Sequence, residues 1–318
     1  MGRVSLFGGD VARAEQMYHE SRDLDPRAGD VLQLKKELST KPRVDAGRPA
    51  DYFHNFSRLC SLENKHHSPV FNHPRIVCRY RPGLLPYYRV KEEILSESPF
   101  ASVVYDVITD EENYFLRTHV KNKLIRGRVG GADAWVSEVR TSDIAWIWDS
   151  DSPIAQSLSL RVQAITGLDV KQRVPGGPSS SEAFQVVNYG LGGHYEVHMD
   201  PFDKPSDRPE LQGSGERIAT FLIYLSDVQR GGSTVFTRAG VSVAPVKNMA
   251  LLWYNFTPAL KRDDLTEHAG CPVLIGQKWI ANKWIWTYGN TFRRRCGLTP
   301  DATHLDIEPD MYRRYGVN

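Results

Sequence analysis

The stretch that decides the fold is residues 184–200, which read Phe-Gln-Val-Val-Asn-Tyr-Gly-Leu-Gly-Gly-His-Tyr-Glu-Val-His-Met-Asp. Its first six residues are rich in β-branched and aromatic types, which favour a strand, and the glycine-rich residues after them predict a turn. The stretch ends in His198 and Asp200, two residues apart. Because alternate residues of a strand share one face, these two side chains can reach a common point.

Further strands are predicted on both sides of this stretch. Residues 102–108 precede it, and the runs 218–225, 242–245, 249–254 and 278–286 follow, separated by turns that contain glycine. Helices are predicted from about Asp110 to Lys123, with Thr109 as N-cap, and from about Pro153 to Thr166, ending at Gly167. The pattern predicts a mainly β fold, a double-sheet jelly roll with flanking helices that buttress one sheet.

Composition excludes several classes of protein. Hydrophobic residues make up 41% of the chain and charged residues 25%, close to the average for globular proteins. A net charge of +2 predicts no broad attraction to nucleic acid. No run approaches the ~18 apolar residues of a membrane span, and the first residues lack a signal-peptide core.

The length of 318 residues predicts two unequal units. Residues 9–26 have helical spacing, stop at Asp25-Pro26 and resemble the second helix of a tetratricopeptide repeat, although an ordinary amphipathic helix is an alternative. Another helix is predicted from Val31 to Leu38. Because half a repeat cannot bury its apolar face, we expect the chain to begin inside a longer protein. The predicted segments are a helical remnant (1–40), a linker (41–89), the main domain (90–300) and a tail (301–318).

His198 and Asp200 form a candidate metal site together with His268. Two imidazoles and one carboxylate that occupy one face of the metal's coordination octahedron suit Fe(II). Three coordination positions of the metal then stay open. A His-x-Asp pair alone is a weak signal, because the chain has ten histidines.

Lys278, ten residues after His268, strengthens this hypothesis. A cation that faces a barrel interior needs an anionic partner, and the distal carboxylate of 2-oxoglutarate would supply one. The alternative is a lysine whose stem packs while its ammonium group reaches water.

The four cysteines are Cys60, Cys78, Cys271 and Cys296, an even set, but the N-terminus supplies no secretory context, so the cysteines alone leave the compartment open. Three histidines, at positions 66, 67 and 73, lie between the first two cysteines and suggest zinc. Their spacing matches no standard zinc finger, and a disulfide on the linker is the simpler interpretation.

Ordered motifs in residues 182–296 resemble the catalytic domain of the alpha subunit of collagen prolyl 4-hydroxylase, and weaker likeness extends back to the N-terminal helix. The matching blocks are Gln185-Val186-x-Asn188-Tyr189-Gly190, Gly193-x-Tyr195-Glu196-x-His198-x-Asp200, Arg217-Ile218-Ala219-Thr220, Tyr224-x-Ser226-Asp227-Val228, Gly231-Gly232-x-Thr234-x-Phe236, Trp253-Tyr254-Asn255, and His268 to Trp284. The resemblance implies a double-stranded β-helix that uses Fe(II), 2-oxoglutarate, dioxygen and L-ascorbate. It also implies a preceding tetratricopeptide-type peptide-binding domain.

The resemblance implies roles for individual residues. Iron would be held by His198, Asp200 and His268, and 2-oxoglutarate by Lys278, Thr234 and Tyr189. The peptide groove would include Glu182, Arg217 and Trp284, for which the alternatives are a surface carboxylate, a surface ion pair and a core aromatic residue. The implied disulfides are Cys60–Cys78 and Cys271–Cys296. Disulfides in turn imply that the protein is located in the endoplasmic reticulum lumen. The resemblance also implies a protein disulfide isomerase beta subunit as the partner.

Two positions depart from the family pattern. The family motif Lys-Trp-x-His is here Lys283-Trp284-Ile285-Trp286, so an indole replaces a histidine expected near the iron and 2-oxoglutarate. Since an indole offers one donor and no acceptor, the change brings the turnover rate and 2-oxoglutarate affinity into question. His194 stands where relatives often have Gln, and we expect it to be a solvated turn residue.

The sequence therefore predicts a procollagen-proline 4-dioxygenase that hydroxylates collagen-like peptides while 2-oxoglutarate is converted to succinate. Two alternatives stay open. One is a catalytically weak, collagen-binding or chaperone-like subunit, and the other is a dioxygenase that acts on another protein substrate.

Overall fold

A computed structural model of the protein describes residues 18–23, 31–32, 35, 50–62, 65–129, 135–136, 139–172, 178–202 and 213–314. The chain divides into two units, residues 1–58 and 59–318. In the first unit, residues 18–23, 31–32 and 35 are helical. The remaining positions of the helices predicted over 9–26 and 31–38 lie outside the described residues.

Beyond these helical residues of the first unit, the described elements comprise four helices, two short 3-10 helices and seventeen strands. The helices are α1 (Ala50–Cys60), α2 (Asp110–His119), α3 (Pro153–Thr166) and α4 (His304–Arg314), and the 3-10 helices are Asp149–Asp151 and Asp264–Thr266. The strands are β1 (Cys78–Pro82), β2 (Arg89–Glu97), β3 (Phe100–Tyr105), β4 (Ile125–Arg126), β5 (Arg128–Val129), β6 (Trp135–Val136), β7 (Asp143–Ile147), β8 (Phe184–Tyr189), β9 (Tyr195–His198), β10 (Arg217–Tyr224), β11 (Arg230–Gly231), β12 (Thr234–Phe236), β13 (Val241–Val243), β14 (Ala250–Tyr254), β15 (His268–Gly270), β16 (Val273–Ile275) and β17 (Lys278–Trp286).

The strands form two main antiparallel sheets. The larger has nine strands in the order β1-β2-β3-β14-β10-β17-β8-β7-β4, and the smaller has four in the order β13-β12-β15-β9. Strands β11 with β16 and β5 with β6 make two short ribbons. This is the jelly roll that the strand pattern predicted, because non-consecutive strands alternate between two sheets.

The two faces of the nine-stranded sheet have different partners. One face packs against α2 and α3 through buried side chains such as Leu116, Val162 and Phe221. The other face meets the four-stranded sheet, where Leu222 and Phe236 belong to a second buried cluster. Adjacent residues Phe221 and Leu222 thus enter different layers, as the two-residue period of a strand requires.

Local sequence signals set the helix ends. At the start of α2, Thr109 and Glu112 form a capping box, in which each side chain accepts a hydrogen bond from the other residue's backbone N–H. Helix α3 has Pro153 in its first turn and ends at Gly167, whose φ of 75° is left-handed. The α3 bounds match the prediction, whereas α2 ends at His119, before the predicted Lys123.

Three elements lie where irregular chain was predicted. Helix α1 and strand β1 fall in the 41–89 segment, and α4 falls in the 301–318 segment. Apolar residues recur at three- and four-residue spacing along α1, a helical period that the Pro- and Arg-rich surroundings obscure. In α4, His304 is buried between the rings of Phe100 and Tyr254, so the tail contributes to the packed domain. None of the helices in the described part of the chain has the length and apolar character needed to cross a bilayer.

Both predicted disulfide pairings are wrong. The structure joins Cys60 to Cys271, with Cα atoms 5.5 Å apart, and leaves Cys78 and Cys296 as free, exposed thiols. Pairing depends on proximity in the fold rather than on spacing along the chain. Cys60 ends α1 beside the segment that follows β15, whereas Cys78 begins the edge strand β1.

Candidate active site

The three candidate metal ligands converge at the strand pair β9 and β15. His198 ends β9 and is the register partner of His268, which begins β15, so their ring centroids lie 4.3 Å apart. Asp200 follows two residues after His198, and its Oδ2 lies 3.9 Å from His268 Nε2. One ligand atom from each residue lies within 4.8 Å of the others. Among the described residues, no other group of three or more His, Cys, Asp or Glu side chains could hold a metal.

The hydrogen bonds of both histidines fix which nitrogen faces the site. His198 Nδ1 is 2.7 Å from the Glu196 carbonyl oxygen, and His268 Nδ1 is 2.9 Å from that of Thr266. Because a carbonyl oxygen only accepts, each Nδ1 must carry the proton and donate. Each Nε2 is therefore left with its lone pair, the form that binds a metal.

Electrostatics favour the protonation states that a cation requires. Burial and the adjacent His268 lower the pKa of His198 to about 3. Burial alone would raise the pKa of Asp200, but His268, His198 and Arg217 together lower it. The site near neutral pH thus offers a neutral imidazole at His198 and a charged carboxylate at Asp200.

Lys278 lies on the wall of the same cavity as the metal ligands. It begins β17, opposite Tyr189 at the end of β8, and its side chain is buried. Lys278 Nζ donates to Thr234 Oγ1 at 3.3 Å and lies 5.5 Å from the centre of the Tyr189 ring. Burial lowers the pKa of Lys278 to about 7, and among the described residues no carboxylate lies within hydrogen-bond distance of its amino group.

The cavity between Lys278 and the metal ligands is small, about 30 Å³. Arg140 and Tyr195 form part of its wall: the Arg140 guanidinium lies 4.8 Å from the Tyr195 ring, which stacks on His198 at 3.7 Å. Arg140 also donates to Gln185 Oε1 at 2.7 Å. Arg140 forms an isolated β-bridge with Tyr195, and the sequence predicted no role for it because a lone arginine outside a regular strand carries no local signal.

The three predicted groove residues form one cluster beside Asp200. Arg217 Nε donates to Glu182 Oε1 at 2.6 Å, and the Arg217 guanidinium lies 3.8 Å from the centre of the Trp284 ring. All three are at most 8% exposed, so the surface carboxylate and surface ion pair are wrong interpretations. Trp284 lines the cavity, and its indole Nε1 has no hydrogen-bond partner among the residues that the structure describes.

The two departures from the family pattern have different surroundings. Trp286 is buried and stacks on Phe202 with ring centroids 6.2 Å apart, and it is not part of the cavity wall. His194 is half-buried in the turn before β9, where its backbone N–H donates to Thr141 Oγ1 at 2.9 Å. His194 is thus a hydrogen-bonded turn residue and is not part of the cavity wall.

The comparison with protein families defines the class. Residues 184–286 match the model of the 2OG-Fe(II) oxygenase superfamily, and this range contains all three ligands and Lys278. Residues 184–286 therefore match a 2OG-Fe(II) oxygenase domain.

Within the superfamily, the chain is related to prolyl 4-hydroxylase alpha subunits. It is 40% identical to prolyl 4-hydroxylase subunit alpha-3 of Rattus norvegicus over 274 residues, which cover 85% of this chain and 48% of the relative. It is 34% identical to subunit alpha-1 of Homo sapiens over 306 residues, 92% of this chain and 54% of the relative. The chain spans about half the length of these relatives.

A solved structure of a viral collagen prolyl hydroxylase from Paramecium Bursaria Chlorella virus-1, in complex with 2OG, is also similar. It aligns at 23% identity with a TM-score of 0.45 over 58% of this chain and 95% of that chain.

The residues present fit the cofactors of this family, which are Fe(II) and 2-oxoglutarate. Two imidazoles with Nε2 free and one carboxylate form the donor set that non-haem Fe(II) oxygenases use. Lys278 supplies a buried positive charge on the same cavity, which suits the second carboxylate of a dicarboxylic acid. The disulfide between Cys60 and Cys271 is typical of proteins of the secretory pathway.

Proposed function

We propose that the chain hydroxylates prolyl residues in collagen-like peptides as an Fe(II)- and 2-oxoglutarate-dependent dioxygenase. The observation that carries the proposal is the meeting of two histidines, one carboxylate and a buried lysine on one cavity. His198, Asp200 and His268 hold the iron, and Lys278, Thr234 and Tyr189 bind 2-oxoglutarate. The bound cofactors supply the oxidation: one atom of dioxygen enters the peptide, and the other enters succinate as 2-oxoglutarate loses carbon dioxide.

The charges in the site explain why the co-substrate is a dianion. Asp200 neutralises one of the two positive charges of Fe(II), so the metal end retains a positive charge. Lys278 supplies a second positive charge at the far end, and water exclusion strengthens both attractions.

The peptide approaches this site past aromatic side chains. Trp284 lines the cavity, and Trp146 lies 6.1 Å from it between ring centroids and is half-buried. Extended proline-rich segments dock on aromatic surfaces because their preformed backbone loses little entropy. Arg217 lies against the Trp284 ring and is paired with Glu182, so we assign Arg217 and Glu182 the role of positioning this ring.

The proposal extends to the partners that the resemblance implies. These are L-ascorbate, which keeps the iron reduced, a protein disulfide isomerase beta subunit, and the endoplasmic reticulum lumen as the compartment. The Cys60–Cys271 disulfide supports an oxidising compartment.

Trp286 motivates a second candidate function, that of a collagen-binding subunit with little turnover. Here an indole that stacks on Phe202 replaces the family histidine and leaves no imidazole at that position.

A succinate-release assay separates the two functions. The enzyme should release succinate when Fe(II), 2-oxoglutarate, ascorbate and a collagen-like peptide are present, and the His198→Ala variant should not. Binding of the peptide by both proteins without succinate from either would support the second function.

A further inference from the structure

A chain of buried polar side chains runs from β14 to the metal ligand Asp200. It consists of Trp253 in β14, Asn255 directly after the end of β14, and Thr220 in the neighbouring strand β10. Each is at most 1% exposed. Trp253 Nε1 lies 2.8 Å from Asn255 Oδ1, Asn255 Nδ2 lies 3.3 Å from Thr220 Oγ1, and Thr220 Oγ1 lies 2.5 Å from Asp200 Oδ2.

The Trp253 indole sets the direction of every hydrogen bond in this series of side chains. An indole N–H only donates, so the Asn255 atom that faces Trp253 must be the carbonyl oxygen. The Asn255 amide nitrogen then faces the Thr220 hydroxyl and the Arg217 carbonyl oxygen, which lies 3.1 Å away. Because Thr220 Oγ1 accepts from this amide, its own hydrogen is directed to Asp200. Donation thus runs in one direction, from Trp253 to Asp200.

Trp253 also contacts a second metal ligand. Its ring meets the His268 imidazole edge to face, with centroids 4.8 Å apart and an interplanar angle of 64°. One buried indole therefore touches His268 directly and reaches Asp200 through two hydrogen-bonded side chains.

We propose that Trp253, Asn255 and Thr220 are positioning residues that hold Asp200 and His268 in the geometry that binds the metal. A free aspartate can rotate its carboxylate, and a hydrogen bond of fixed direction from Thr220 to Oδ2 restricts that rotation. The inference rests on one part of the proposed function, namely that His198, Asp200 and His268 bind a divalent metal.

Metal affinity of the full chain tests the proposal independently of turnover. Mn(II) is a suitable probe, because it binds oxygen and nitrogen ligands and does not oxidise readily, and calorimetry gives its Kd. Thr220→Val keeps the shape of the side chain and removes the donor, so we expect the Mn(II) Kd to rise by about 10–100-fold. Thr220→Ser restores the hydroxyl and should return the Kd to within roughly threefold of the wild-type value.

A matched control variant shows whether a change in Mn(II) affinity comes from lost positioning or from the removal of any buried hydroxyl. Thr166 is also buried, and its hydroxyl donates to the Val162 carbonyl oxygen at 2.8 Å, within α3 and outside the cavity wall. Thr166→Val should lower the melting temperature of the metal-free protein and leave the Mn(II) Kd unchanged.

Trp253→Phe provides a second test if Thr220→Val does not fold. It keeps a ring beside His268 and removes only the N–H, so the Kd should rise by roughly 3–10-fold. In a Thr220→Val background, Trp253→Phe should add little, because both changes break the same chain.

The possible results distinguish the two hypotheses. Wild-type affinity in both Thr220→Val and Trp253→Phe would overturn the positioning role while leaving the metal site intact. Failure of the wild-type protein itself to bind Mn(II) would overturn the proposed function.

Discussion

Lys278 Nζ lies 3.3 Å from Thr234 Oγ1, on a cavity wall that also includes all three candidate metal ligands. The hydroxyl leaves the ammonium group with donors to spare, since a lysine carries three. A carboxylate that enters the cavity can therefore accept from Lys278 without displacing Thr234.

Replacing Lys278 should weaken 2-oxoglutarate binding far more than metal binding. In Lys278→Ala the distal carboxylate loses its buried partner, at a cost of about 2–5 kcal/mol, or roughly thirtyfold or more in Kd. Calorimetric titrations with 2-oxoglutarate in the presence of Mn(II), and with Mn(II) alone, measure the two effects. Normal 2-oxoglutarate affinity in this variant would remove Lys278 from the co-substrate site.

Lys283 offers a matched control on the same strand. It is also buried, but it lies beside Asp149 and Phe184 and is not part of the cavity wall. Lys283→Met should alter the free energy of unfolding and leave 2-oxoglutarate affinity unchanged.

The lowered pKa of Lys278, about 7, predicts that 2-oxoglutarate binding depends on pH. Below that pH the free site already carries the charge, whereas above it binding must take up a proton. Affinity should therefore fall as pH rises from about 7 to 9, by up to about tenfold per unit. Lys278→Met, which cannot titrate, should bind weakly with no decline over this range. A decline of equal slope in both proteins would assign the pH dependence to another group.

Each of the three metal ligands should be required for metal binding, whereas His194 should not be required. His198→Ala, Asp200→Ala or His268→Ala removes one of three protein ligands, so the loss of Mn(II) affinity should exceed the ~10–100-fold typical of residues that only support a ligand. His194→Ala changes a turn histidine that is not part of the cavity wall and should leave Mn(II) affinity unchanged. Calorimetric titration of the four variants with Mn(II) tests this prediction. A loss of Mn(II) affinity in His194→Ala alone, with normal affinity in the other three variants, would contradict it.

The disulfide assignment predicts unequal effects of the four cysteines. Cys60→Ser or Cys271→Ser opens a bond that spans 211 residues, so stability should fall by about 2–5 kcal/mol. Cys78→Ser and Cys296→Ser change exposed, free thiols and should have little effect. Chemical denaturation measures stability, and peptide mapping without reductant identifies the bond. A Cys271–Cys296 peptide would contradict the structure and restore the pairing that family spacing implies.

The sequence predicted the architecture well because local chemistry decides it. The β-branched and aromatic residues of Phe184–Tyr189 and Lys278–Trp286, the Thr109 cap and the Gly167 stop are all properties of neighbouring residues. The strand predicted through His198 and Asp200 is shorter than expected, because β9 ends at His198 and Asp200 lies in the bend that follows it.

Other features depend on contacts between distant segments. The Cys60–Cys271 bond joins two residues that are 211 positions apart, a proximity that no local pattern encodes. The hydrogen-bond chain from Trp253 to Asp200 likewise joins residues that the strand order β14-β10 brings together. The burial of Glu182 and Arg217 could not be predicted either, because charged residues are usually exposed.

Mass spectrometry of a Pro-Pro-Gly repeat peptide tests the central claim most directly. After incubation with the full chain, Fe(II), 2-oxoglutarate and ascorbate, the peptide should gain the mass of one oxygen atom per modified proline. Fragmentation should place that oxygen on the proline ring, and amino-acid analysis should identify 4-hydroxyproline. The Asp200→Ala variant should leave the peptide unmodified. An unmodified peptide after incubation with wild-type protein that binds Mn(II) and 2-oxoglutarate in parallel samples would contradict prolyl hydroxylation of collagen-like peptides as the function of this site.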